Sequence, residues 1–113
     1  MTRGEFDAAC RRLPSVHMVV QWGEAEVYKI GPRIFAVLGP DGSFSLKASD
    51  IAFEALTASG RGRPAPHLAR AKWVRFDDLA AVETAEIEDL LASAHAQVAA
   101  KLTRAQRREL GLD

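Results

Sequence analysis

Residues 26–47 read EVYKIGPRIFAVLGPDGSFSLK, and the reading of this stretch decides the fold. Gly31-Pro32 and Gly39-Pro40-Asp41-Gly42 punctuate it, because Pro presets φ and Gly permits positive φ. Between the turns lie three predicted strands, Glu26–Ile30, Ile34–Leu38 and Ser43–Lys47. Connections this short join antiparallel neighbours, so the stretch is two hairpins sharing a central strand. Tyr28 and Ile30, like Phe44 and Leu46, point one way; Lys29, and Ser43, Ser45 and Lys47, point the other. The central strand is apolar on both faces.

Working outward, Thr2 and Glu5 form a capping-box pattern that opens a helix. Phe6, Ala9, Cys10 and Leu13 share one face of it, and Pro14 ends it. A short apolar stretch, Val16–Val20, precedes the meander. Downstream, Ser49 or Asp50 caps a helix to about Ala58, predicted to turn Ile51, Ala55 and Leu56 inward. Residues 59–66, SGRGRPAP, cannot be helix or central strand. The loop they begin runs to about Ala71, and long loops are often functional or mobile. Lys72–Phe76 reads as a further strand, with Val74 and Phe76 inward and Trp73 and Arg75 together on the opposite face. Thr84 is the expected cap of a last long helix whose stripe is Ile87, Leu90, Leu91, Ala94, Val98 and Leu102. Thr103 and Gln106 open a short basic helix. No repeat or second boundary interrupts residues 1–113, so one domain is expected.

The chain has 113 residues, of which 48% are hydrophobic and 27% charged, which excludes a wholly disordered chain. Lys plus Arg and Asp plus Glu number 15 each, giving a formal net charge of zero. That balance argues against a strongly basic polyanion binder until the charges are located. Acids gather from Asp77 to Asp89, bases from Arg61 to Arg75 and from Lys101 to Arg108. The single Cys10 cannot form an internal disulfide and reads as a small core residue. The N-terminal residues lack the apolar run of a signal peptide. The longest apolar run, Ile34–Leu38, is far below the ~20 residues of a membrane helix. A cytoplasmic protein without membrane contact is the expectation.

Enzyme motifs are absent: there is no Gly-x-Ser-x-Gly, no His-Glu-x-x-His and no P-loop. His17, His67 and His95 have no ligand spacing with one another or with Cys10, so no metal or cofactor is expected. Glu83, Glu86, Glu88 and Asp89 fit the N-terminal end of a helix dipole better than a catalytic pair. What remains is basic and aromatic. Arg61, Arg63, Arg70, Lys72 and Arg75 flank Trp73 with no acid among them; cations neutralise phosphates, and an exposed Trp stacks on a base or sugar. Lys29 and Lys47 share the sheet face expected to carry Trp73 and Arg75. The plain alternative is a solvated polar face with Trp73 closing the core edge. Arg61-Gly62-Arg63-Pro64 also spells the core of an AT-hook, though four residues in an Arg- and Ala-rich chain are read first as a connecting loop.

The residues resemble the MmcQ/YjbR family of small bacterial proteins over nearly the whole chain. The likeness runs through Met1–Phe6, Cys10, Leu13-Pro14, Trp22-Gly23, Ile34–Val37 and Ser45–Ser49, and is most specific at residues 63–74, RPAPHLARAKWV. Many relatives carry Asn where this chain has Ala69, and His where it has Lys72, so the likeness carries no Asn/His chemistry. It implies an α+β, two-layer fold similar to CyaY-like proteins, with helices on one face of an antiparallel sheet. It also implies DNA binding through a "double wing" of β-hairpins.

The expected protein is therefore a monomeric, non-catalytic DNA-binding domain. Its expected contacts are Lys47, Arg61, Arg63, Arg70, Lys72, Trp73 and Arg75, with Trp22, Lys29 and His67 as additional candidates. The competing expectation is a protein-interaction module using the same sheet face or an unpaired strand edge.

Overall fold

The chain, described here from a computed structural model at residues 1–66 and 68–112, bears out the two hairpins and sets one further strand on one side of them and two on the other. In order, its elements are α1 (Arg3–Arg11), β1 (Val16–Gln21), β2 (Ala25–Ile30), β3 (Arg33–Leu38), β4 (Phe44–Lys47), α2 (Asp50–Ala58), β5 (Arg63–Pro64), β6 (Trp73–Phe76), α3 (Thr84–Ala99) and α4 (Arg104–Glu109). The strands form one sheet, β1-β2-β3-β4-β6-β5, antiparallel at every pairing. Gly31, with φ +56°, takes the first position of the two-residue β2–β3 turn, which a Cβ would strain. At the β3–β4 turn Asp41 Oδ1 accepts hydrogen bonds from Ser43 N at 3.0 Å and Ser43 Oγ at 2.6 Å. These bonds hold the Asp41 carboxyl below the usual carboxylate range.

One face of the sheet carries the core. Tyr28, Leu38, Phe44, Leu46, Val74 and Phe76 are buried there beneath the helices. Phe44 and Phe76, opposite each other across β4 and β6, stack at 4.8 Å between centroids, and Phe6 of α1 meets both Tyr28 and Phe44 at 5.7 Å. The β2–β3 register shifts between Tyr28 and Lys29, where the opposing residues jump from Ala36 to Ile34. Phe35 is the extra residue of that bulge, and it packs edge-on against His95 of α3 at 5.6 Å. His95 Nε2 pairs with the Pro14 carbonyl at 2.8 Å, which makes it a buried tie between α3 and the chain after α1. Cys10 is buried in the same core, and burial pushes its thiol up, away from thiolate chemistry. Both capping boxes form as predicted, at Thr2/Glu5 and Thr103/Gln106.

Three local expectations are corrected. Val16–Gln21 is a full edge strand, although the Trp22-Gly23-Glu24 connection behind it lacks the usual Asn-Gly signal. In α2, Leu56 is buried and Ala52 and Phe53 are half-buried, while Ile51 is 83% exposed and Ala55 faces out. The Ser49 cap fixes the phase of this helix, and the larger Phe53 takes the inward place instead of Ile51. The α3 cap is Glu83, with no side-chain cap bond, so Thr84 begins the helix. Among the described residues no helix is long and apolar enough to cross a membrane.

Gly62 fixes where β5 can lie. A Cβ there would sit 2.5 Å from Val74 Cγ1, whereas one at Gly60 meets nothing within 4 Å. Gly62→Ala is expected to lower stability by about 1–3 kcal/mol in urea unfolding, through overpacking. Gly60→Ala, strained only by its φ of +75°, should cost nearer 1 kcal/mol. Equal costs at the two positions would contradict the packing account.

Candidate functional site

The other face of the sheet is not uniformly wet, and the end of α3 reaches its margin through Val98 and Lys101. Across it run the pairs His17↔Lys29, Lys29↔Ile34, Val27↔Val37, Val37↔Ser45, Ser45↔Arg75 and Lys47↔Trp73. Val27 is fully buried there, and Trp73 and Lys47 are only 6% and 8% exposed. Of these residues, Ile34, Val37, Lys47 and Trp73 line a cleft of about 450 Å³. Ile34, Val37, Leu68, Val98 and both tryptophans supply most of its apolar lining, and Arg33, Lys47 and Lys101 supply charge. Among the described residues no acid lines it.

Two backbone anomalies border this cleft. Trp22 and Lys72 adopt left-handed conformations, with φ +50° and +62°. A bulky residue rarely does so, and the strain is of order 1–3 kcal/mol. Trp22 opens a run of three positive φ values with Gly23 and Glu24, so the β1–β2 turn is sharply wound. Its ring remains 65% exposed. Lys47 carries a second kind of stress. Its Nζ donates to the Ala48 carbonyl at 3.2 Å, and among the described residues it has no ion pair. Burial, then the neighbouring Lys101 and Lys72 charges, lower its pKa, with Asp50 opposing them.

The sequence-predicted contacts divide into two groups. Lys47, Trp73 and Trp22 meet at the cleft; Lys29 adjoins it through Ile34; Arg70 is exposed on the single 3₁₀ turn Ala69–Ala71. Lys72 is next to it in the chain, with its ammonium 5.0 Å from the Phe53 ring centroid. The arginines lie elsewhere and are matched by acids. Arg61 is bonded to Glu86, Arg63 to Asp77, and Arg75 stands 3.6 Å from Asp77 and 3.8 Å from Asp41. Sequence spacing hid the Arg61–Glu86, Arg63–Asp77 and Arg75–Asp41 pairs, whose members come from separate parts of the chain. His67 lies outside the described residues. Trp73, expected to be a stacking surface, is only 6% exposed, too enclosed for a base to lie on its ring. Sequence reasoning missed Arg33 and Lys101 as members of the site. Their positions, after the Gly31-Pro32 turn and at the end of α3, converge only through the tertiary fold. A larger hollow of about 720 Å³ lies at the start of α3, but Glu83, Glu86 and Asp89 line it and its Arg61 is already paired.

An antiparallel sheet with helices on one face and a basic, tryptophan-walled cleft on the other defines an open-faced α+β domain. The family model for YjbR matches residues 11–97, and the chain belongs to the YjbR family. It is similar to the crystal structure of Deinococcus radiodurans protein DR2400, a DUF419-domain protein, with a TM-score of 0.85 and 26% identity over 99% of this chain and 89% of that one. No curated protein matches the chain.

The charge on Lys47 is thus held in place at a cost to folding. Lys47→Met keeps the apolar stem and removes the ammonium, and is expected to raise stability by up to about 1 kcal/mol at neutral pH. The advantage should shrink as pH rises toward the unfolded lysine pKa of ~10.4, where Lys47 sheds its proton in both states. A large loss of stability in urea unfolding of this variant would show instead that the cation is structural.

Proposed function

We propose that this protein is a non-catalytic DNA-binding module whose contact surface is the cleft on the open face of the sheet. The observation that carries the reading is the convergence of Arg33, Lys47 and Lys101 on one largely apolar cleft with no acid in its lining among the described residues. A polyanion would supply the counter-charge that Lys47 lacks within the fold. Arg70, Lys72 and Lys29 extend the basic rim along the backbone path of a bound strand. Arg61, Arg63 and Arg75 contribute less, because a phosphate must first compete with Glu86, Asp77 and Asp41. With only a few unmatched cations and a net charge of zero, affinity is modest and depends strongly on salt.

Fluorescence anisotropy of labelled DNA at several salt concentrations tests this reading. Lys101→Gln and Arg33→Gln are each expected to reduce the slope of log K against log salt by about 0.7–0.9. Arg61→Gln and Arg63→Gln should change it by less than half that amount. No binding at low salt, or loss confined to the Arg61 and Arg63 variants, would overturn the assignment.

A second reading is favoured by the outer edge of β1. Six residues without a formal charge or proline lie at the sheet edge, and Val20 is 58% exposed. Such an edge accepts a partner strand. Val20→Lys would block that pairing while leaving DNA affinity unchanged, which separates the two.

A further inference from the structure

Resting on the DNA-binding reading, we propose that the cleft accepts one unstacked base of a single strand, laid against Trp22, with its flanking phosphates on Lys47 and Lys101. The ligand class is single-stranded DNA, in preference to duplex.

Shape argues first. A cleft of about 450 Å³ falls within the ~300–1,000 Å³ range of sites that enclose a small planar group. Its apolar lining of Ile34, Val37, Leu68 and Val98 offers nothing to a phosphate and much to the faces of a base. A paired base in a duplex keeps both faces stacked on its neighbours and cannot enter. Lys47 is recessed, so a phosphate reaches it only from a strand that dips into the cleft rather than riding across its rim.

The lining chemistry argues second. Among the described residues it holds no Asn, Gln, Ser, Thr or carboxylate, which leaves edge readout of adenine and cytosine without its usual partners. Only cations and apolar or aromatic groups are present, the combination that holds single strands by stacking and charge with little sequence preference. The strained backbone argues third. The left-handed Trp22 lines the cleft from a turn of three consecutive positive φ values, held at a standing cost to the fold. Preorganisation of that kind favours binding by reducing what must be ordered on contact.

The test compares oligothymidylate of about 12 nucleotides, within the length range one such groove engages, with a duplex of equal length at the same salt. Tryptophan quenching and anisotropy are both read. The single strand is expected to bind about tenfold more tightly, and Trp22→Ala to weaken it about tenfold, as loss of one base stack does. Trp22→Phe should recover most of that affinity, and duplex binding should be unaltered by either change. Equal or tighter duplex binding, or an unchanged single-strand affinity in Trp22→Ala, would overturn the base-in-cleft inference while the Lys101 and Arg33 salt slopes still support DNA binding. Absence of binding to both forms would overturn the inference and the DNA-binding reading together.

Discussion

The pairing of β4 with β6 is the interaction on which the rest of the structure depends. Every other pair among β1 to β4 is a local hairpin, whereas this one closes across α2 and the whole of residues 59–72. Loop-closure entropy opposes it. Four opposed pairs offset that cost and act on both faces at once. Phe44↔Phe76 and Leu46↔Val74 complete the core under the helices, while Ser45↔Arg75 and Lys47↔Trp73 create the cleft side. One register therefore serves stability and site together. A slip by one residue would bury the lysine among the aromatics and turn Phe76 to water.

The same pairing explains why charge near Trp73 does not form one continuous basic patch. Strand β6 runs from the cleft at Lys72 and Trp73 toward the acids at Asp77 and Asp78. Arg75, midway, is already within reach of Asp41 and Asp77, and Arg63 beside it on β5 is bonded to Asp77. At the other end the nearest opposing charge on Lys47 is Asp50, and it does not form an ion pair. A sum of zero thus contains one end with its charges matched and one with cations to spare.

Much of the fold was legible because turn chemistry and alternation act locally. Gly31-Pro32, the Asp41 turn and both capping boxes each declare themselves within four residues, and strand phase correctly placed Lys47, Trp73 and Arg75 on one face. The edge strand β1 was missed since its turn relies on left-handed Trp22 and Glu24, which no local rule favours. The phase of α2 failed because Ile51 and Phe53 both offer an apolar stripe, and only packing against β6 chooses between them. The site was less legible than the fold. Lys47 and Trp73 could be placed on a face but not given a burial, which depends on Leu68 and the neighbouring strands. Arg33 and Lys101 come from opposite sides of the sheet in sequence, so nothing in their spacing joins them.

The central claim is that ligand contact lies at the tryptophan cleft rather than along the Arg61–Arg63 loop. Two-dimensional ¹⁵N NMR of the full chain during titration with a single-stranded oligonucleotide tests this most directly, because both tryptophan indole N–H groups and every backbone amide report at once. The account predicts the largest shifts at the Trp22 and Trp73 indoles and at the amides of Ile34, Val37, Lys47 and Lys101, with Arg61 and Arg63 nearly still. Shifts concentrated on residues 61–66, with the Trp22 indole unmoved, would contradict it.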